Sequence, residues 1–327
     1  MSTLETYEAI KEWKEQNIHQ CLSDTISLNS FHDAVMVNVF EIAVARLGME
    51  KPPCLYCWFI AGSGGRHEQG VISDQDHGII YQVASNENKE YFLKLGTEIS
   101  YGLSIVGYPY CKGNIMSSNP LWCKSLDEWK RQLFNWMDEG SWESIRNLQI
   151  FFDSRCLHGE VQFVQELKQF IFDYQEKNPY LLKRLMENVL HIKKAISPLG
   201  QILVNTTGEH SGSIDLKYSA FIPYVNAIRI LSIKEQIAET STEQRLNKLS
   251  AMPNYQKVLE TAPANFKRLL EYRLSLVLVK EYEDTHYLHV NDLSREQKKE
   301  IKRILKDGEN LHSFVINLIK KGVKYGI

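Results

Sequence analysis

Long apolar runs are missing from this chain. None approaches the roughly 18 to 20 residues that a bilayer-spanning helix needs, and the opening Met1-Ser-Thr-Leu-Glu-Thr-Tyr-Glu lacks the basic-then-apolar order of a secretory leader. A cytoplasmic protein without membrane association is therefore expected. A basic excess is missing too. The formal net charge is −2, which argues against a dedicated nucleic-acid binder, whose footprint on phosphate shows as a surplus of Lys and Arg. Cysteine is scarce, with six in 327 residues, too few for a disulfide scaffold, and a reducing compartment would keep them as thiols. There is no repeat, low-complexity tract or Gly/Ser linker, so any domains are expected to pack closely. No lysine occurs between Lys51 and Lys89, and that gap excludes a Walker A loop from the stretch it contains.

What is present is an ordinary globular composition, 43% hydrophobic and 24% charged, at a length that favours two domains. Helical periodicity is expected over residues 4–19 and again from Phe31 to Leu47, with Ser30 and Asp33 as a capping-box start and Gly48 as the stop. Pro52 and Pro53 then break the chain. The run Leu55–Ala61 reads as a buried strand, Asp76–Tyr81 as a second, Ser104–Cys111 as a third and Gln149–Leu157 as a fourth, with helices over 87–103 and 127–137. Beyond Gly159 helical periods dominate, at 160–176, 180–196, 219–238, 264–283, 294–306 and 310–323. The expected class is α+β: N-terminal helices over 1–49, a small mixed-sheet domain flanked by helices over 50–158, and an all-α helical domain over 159–327.

Between the first two strands lies Gly62-Ser63-Gly64-Gly65-Arg66-His67-Glu68 and then Ser73-Asp74-Gln75-Asp76. Strand residues two apart share a side, so Asp74 and Asp76 can aim both carboxylates at one point. Two hard oxygen ligands suit Mg²⁺, which fills its octahedron with water and substrate phosphates. The glycine turn allows close backbone approach and presents N–H groups to phosphate, and Arg66 adds a fixed cationic fork. A dinucleotide fingerprint starting at Gly62 would need glycine where His67 stands. Metal, phosphate cradle and guanidinium are the parts of phosphoryl or nucleotidyl transfer; a glycine-rich hairpin with solvent-facing aspartates is the plain alternative.

Gly62-Ser63, Arg66, Glu68 and Ser73-Asp74-Gln75-Asp76 resemble the signature of the DNA polymerase beta-like nucleotidyltransferase superfamily. The chain more closely resembles the nucleotidyltransferases related to the N-terminal domain of bacterial protein-PII uridylyltransferase. That likeness extends through Gly107-Tyr108-Pro109, Cys111–Met116, Asn119–Trp122, Phe152–Arg155 with Gly159, Ile214–Lys217, Pro223 and Thr242–Leu246. The resemblance implies Mg²⁺-dependent (or Mn²⁺-dependent) transfer of a nucleoside monophosphate from a triphosphate, UTP or ATP, to an acceptor, which could be a signalling protein as in PII uridylylation. Nucleic acid is the least favoured acceptor on charge. Family members often carry regulatory domains ahead of this unit, and the roughly 50 residues preceding the sheet are too few for them. A catalytically silent nucleotide-binding signalling module is the competing possibility, and a toxin-like enzyme adding AMP to its partner a third.

The superfamily also has a third carboxylate on a neighbouring strand. Asp153 is the candidate for catalysis and metal binding, weighed against an ion pair with Arg155. Lys112 and Asn114, in a glycine-containing turn, are candidates for contact with phosphate or ribose. Lys217 is a candidate for reaching the nucleotide from the helical half, while Asp215 beside it could equally cap a helix. Cys54 and Cys57 form a C-x-x-C within a strand, with no second pair at zinc spacing, and are read as core. His67 and His77 are given no role.

Overall fold

The computed structural model describes residues 5–48, 51–276 and 281–325 and divides into two compact units, Met1–Ile171 and Phe172–Ile327. In the first, α1 (Tyr7–Asn17) and α2 (Thr25–Arg46) precede β1 (Tyr56–Ile60), the one-turn α3 (Gly62–Gly65), β2 (His77–Tyr81) and α4 (Asn86–Ile105). There follow β3 (Cys123–Ser125), α5 (Leu126–Glu139), α6 (Trp142–Phe152) and β4 (Arg155–Gly159). The helix α7 (Val161–Lys177) carries the chain into the second unit.

The four strands form one mixed sheet in the order β3-β2-β1-β4, with β1 antiparallel to β2 and β4 and β3 parallel to β2. The central strands are covered on both faces. That is why they read as continuous apolar runs rather than alternating ones. Trp58, Ile60, Ile79 and Tyr81 face a core built with Val35, Val39 and Phe40 of α2 and Phe92, Leu95 and Ile99 of α4. Phe59 points the other way, edge-on to Trp129 of α5 and Phe151 of α6. The capping box Ser125–Glu128 starts α5 directly at the end of β3, and Trp129 Nε1 donates to Ile79 O across 3.0 Å.

Several boundaries differ from expectation, each for a local reason. The helix expected from Phe31 begins at Thr25, capped by Asp24 accepting from the Ser27 amide at 2.8 Å; Ser30 and Asp33 lie inside it, and Gly48 ends it at φ +71°. The strand expected over Ser104–Cys111 is the last turn of α4 and a loop, with an isolated parallel bridge between Gln75 and Tyr110 just ahead of β2. The run Gln149–Leu157 is half helix: α6 continues to Phe152, Asp153 caps its C-terminus, and only then does β4 begin. Short buried apolar runs carry no period that separates the two states. Leu4, in the first expected helix, lies outside the described residues.

The second unit is helical: α8 (Tyr180–Asn188), α9 (Ile222–Lys234), α10 (Thr242–Ser250), α11 (Pro253–Gln256), α12 (Ala262–Leu274) and α13 (Arg295–Tyr325). One short antiparallel pair is added, β5 (Ser213–Asp215) with β6 (Tyr287–His289). Helix α9 is buried nearly all round, from Pro223 to Ile233, and so shows little amphipathic pattern. The two helices expected over 294–306 and 310–323 are one, continuous through Gly308. Tyr224 of α9 fastens that region, its hydroxyl donating to Ile304 O and the Asp307 carboxylate. The expected helix over 264–283 ends at Leu274, and residues 277–280 of it lie outside the described residues.

Phe59 is fully buried at the centre of the sheet, whereas Ile26 is 77% exposed. Phe59→Ala is expected to lower the unfolding free energy by about 3–5 kcal/mol, and Ile26→Ser to change it by no more than about 0.5 kcal/mol. Urea unfolding followed by tryptophan fluorescence measures both.

Candidate active site

The site is built where β1 ends and β2 begins. The ladder continues one step past Ile60, with the Ala61 amide donating to Asp76 O at 2.8 Å, and the chain then winds into the single turn of α3. Gly62 takes φ +54°, and a Cβ there would stand 2.1 Å from Asp76 Oδ2. Glycine at this position thus lets the Asp76 carboxylate lie directly on the turn. The first-turn amides of Gly62, Ser63 and Gly64 have no intrahelical acceptor and border the same space. Asp74, Asp76, Ser63, Gly64 and Gln69 line one small cleft together with Met36, Gln75 and His77.

The two aspartates are aimed by the residue between them. Gln75 is fully buried on the opposite side, where its amide nitrogen donates to Ser100 O and Tyr108 O, both at 3.1 Å. Its amide oxygen accepts from His77 Nε2 at 3.0 Å, and His77 Nδ1 in turn accepts from Trp58 Nε1 at 3.2 Å. These partners assign a neutral His77, and burial pulls its pKa down from 6.5 to about 3. Helix α2 fastens the segment between the turn and the aspartates. Asn29 Oδ1 accepts from the Gln69 amide at 3.1 Å, and His32 bridges Gly70 O and the Tyr108 hydroxyl. His32 is likewise held neutral, pulled to about 3 by burial and then by nearby Lys14.

Arg66 is engaged by protein carboxylates. Its Nε lies 2.7 Å from Glu68 Oε2 and its Nη1 2.9 Å from Asp153 Oδ2, with Glu68 2% and Asp153 0% exposed. Burial by itself would lower its pKa, but Glu68 and Asp153 outweigh that and hold the guanidinium above its ordinary value. The ion pair weighed for Asp153 thus exists, with Arg66 as partner and not Arg155. Arg155 reaches Asp33 of α2 at 2.6 Å and Gly64 O at 3.1 Å. Asp153 is not among the ligand-type groups that meet beside β2.

Those groups are Asp74, Asp76 and Cys111, whose ligand atoms lie within 4.8 Å of one another. Burial first, then the Asp76 and Asp74 charges, push the Cys111 thiol up to about 12. Lys112, Gly113 and Asn114 follow in an exposed turn, closed by the Asn114 amide on Cys111 O at 2.9 Å and with Asn114 at φ +55°. Arg146 of α6 stands beside this turn: a Cβ on Gly113 would lie 2.9 Å from its Nη2. Sequence reasoning missed Cys111, Gln69 and Arg146. Only Cys111 carried a signal, a thiol in a glycine-containing turn, and reading its segment as a strand obscured it. In the second unit Lys217 starts a π-turn over 217–221, its Nζ 5.8 Å from the Tyr218 ring and 5.5 Å from that of Tyr282. Asp215 ends β5 and is not the N-cap of that turn, which is Leu216; its carboxylate accepts from the Tyr218 amide at 3.0 Å and pairs with Lys193 at 3.0 Å.

A glycine turn at the end of one strand thus lies against a pair of aspartates at the start of the next. Residues 13–143 match the family described as putative nucleotidyltransferase DUF294, and residues 179–317 match its companion, described as a putative nucleotidyltransferase substrate binding domain. The chain belongs to this nucleotidyltransferase family. No curated protein matches it. No helix among the described residues is long and apolar enough to cross a membrane.

Asp153→Ala removes one charged hydrogen-bond partner of Arg66 and leaves it paired with Glu68, so it is expected to lower the unfolding free energy by about 1.5–3 kcal/mol, read from urea unfolding. The buried imidazoles set a pH dependence. Their folded pKa values, about 3, lie below the ordinary 6.5, so the unfolded chain binds more protons between those limits. The stability they confer is complete above pH 6.5 and declines as pH falls below it. The urea midpoint should drop over that range, and less steeply in His77→Asn.

Proposed function

We propose that this protein transfers a nucleoside monophosphate from a nucleoside triphosphate, UTP or ATP, to an acceptor, with its reacting centre at Asp74 and Asp76. The observation that carries this is the pair of carboxylates, with oxygens within 4.8 Å of each other, the buried Gln75 between them anchored on the other side, and Asp76 directly over the Gly62 turn. The donor chemistry fits a divalent cation, Mg²⁺ or Mn²⁺, held by Asp74 and Asp76. Bound there, such an ion would supply positive charge against the triphosphate.

The remaining work falls to the chain. The amides of Gly62, Ser63 and Gly64, with the Ser63 hydroxyl, receive phosphate oxygens. Arg66 acts indirectly, because Glu68 and Asp153 occupy its fork; it holds the turn in shape. Asp153 is thereby a positioning residue. The exposed Lys112–Asn114 turn and Arg146 beside it provide the cationic and polar contacts for the triphosphate tail. An acceptor hydroxyl attacks the α-phosphorus and gives up its proton to solvent, the bond to the β-phosphate breaks, and pyrophosphate leaves. The description of the family domain matched over the helical unit supports substrate binding by that unit, and we assign Lys217 as a contributor. A protein hydroxyl, as on a signalling partner, is the favoured acceptor class, and the near-neutral charge speaks against nucleic acid.

Asp74→Ala and Asp76→Ala should each reduce pyrophosphate release by about 10²–10³-fold or more, with circular dichroism unchanged. Full turnover in the double variant would refute the assignment. One observation favours a silent nucleotide-binding module instead: the third group beside the aspartates is a thiol, not a carboxylate. Calorimetry with each triphosphate, paired with a pyrophosphate assay over a broad acceptor screen, separates the two. Binding without release supports the module.

A further inference from the structure

Three ligand-type groups from two separate segments meet beside the start of β2: carboxylate oxygens of Asp74 and Asp76 and the Sγ of Cys111, all within 4.8 Å of one another and partly exposed. The thiol is put there by backbone structure. The parallel bridge between Gln75 and Tyr110 sets residue 111 alongside Asp76, and the turn closed by the Asn114 amide on Cys111 O keeps it there.

A second, independent feature points to a ligand beside the two aspartates. Gln69 is 2% exposed and lines the cleft with Asp74 and Asp76. Its amide nitrogen donates to Ser73 Oγ at 3.1 Å, but its amide oxygen has no partner. A buried carbonyl oxygen left without a donor costs about 1–3 kcal/mol. A bound species carrying O–H or N–H donors, such as a hydrated cation, would satisfy it.

The donor set then decides which cation. Magnesium takes oxygen ligands almost exclusively, whereas a thiolate among carboxylates selects ions of borderline softness, in the order Mn²⁺, Co²⁺, Zn²⁺ of rising affinity. We infer that Cys111 is the third protein ligand of this site, and that the site therefore prefers thiophilic divalent ions such as Co²⁺ and Zn²⁺ to Mg²⁺, a conclusion that rests on reading the cleft as the nucleotidyl-transfer centre. On binding, the S–H bond is replaced by a sulfur–metal bond and the thiol proton passes to solvent. The ion's charge reverses the negative field that Asp74 and Asp76 impose on the thiol.

The test uses the full chain, stripped with chelator and titrated with Co²⁺. The expected result is a near-ultraviolet sulfur-to-cobalt charge-transfer band saturating at one ion per chain, lost in Cys111→Ser and lost or much weakened in the Asp74→Asn/Asp76→Asn pair. One proton should be released per ion, seen as a buffer-dependent binding enthalpy. Zinc should displace the cobalt where excess Mg²⁺ does not. Outer-shell partners of metals are worth about 10–100-fold in affinity, so loss of the ligand itself should weaken Co²⁺ binding at least that far while leaving Mg²⁺ binding unchanged. Cobalt bound without the band, or a band that survives Cys111→Ser, overturns the inference. The band is read on the unaltered protein, so a misfolded variant cannot hide the answer. Pyrophosphate release with Mg²⁺ and no thiolate band would remove Cys111 from the metal and leave nucleotidyl transfer standing. A thiolate band in a protein that never releases pyrophosphate would do the reverse.

Discussion

The site depends on the hydrogen bonds of Gln75. Two carboxylates close together repel, and a flexible strand end would let them part. Here the residue between them is buried and anchored to Ser100 O, Tyr108 O and His77. Strand alternation then leaves Asp74 and Asp76 no choice of side. The arrangement extends inward, since His77 accepts from Trp58 in the core of the sheet. The aim of the aspartates is thus coupled to the packing of β1 against β2, and a neutral His77 is part of that coupling.

A second constraint operates on the far side of the glycine turn. Arg66, flanked by Glu68 and the buried Asp153, ties the turn to the end of α6 just before β4 begins. Helix α2 adds its own hold through Asn29, His32 and Asp33. Buried ion pairs of this kind are weak evidence for stability, because desolvation offsets much of their attraction. Their value here is positional. They fix where the turn amides sit relative to the aspartates, which electrostatic catalysis requires more than it requires affinity.

Chain-local features of the site could be read from residues alone. Gly62-Ser63, the two-residue spacing of Asp74 and Asp76, and the flanking strands need only period-2 geometry and the conformational latitude of glycine, and the structure has them together. Arg66 illustrates the opposite case. A guanidinium beside a glycine turn looks like a phosphate fork, yet its partner Asp153 lies 87 residues away, so its engagement was invisible. Asp153 was misread for a related reason: the apolar residues before it belong to a buried helix, whose short run has no decisive period. Cys111 comes beside the aspartates through the loop that replaces the expected third strand, and Arg146 comes beside that loop through the course of α6.

The sequence by itself determined a mixed α+β unit followed by a helical one, and a glycine turn with two closely spaced aspartates between the first two strands, because apolar period, glycine placement and carboxylate spacing act over a few residues. Tertiary structure decided the rest: which charges are spent on each other, as Arg66 is on Glu68 and Asp153, and which group joins the two aspartates, where the thiol of Cys111 stands. Ion pairing and ligand convergence depend on distances in space, which no local pattern encodes.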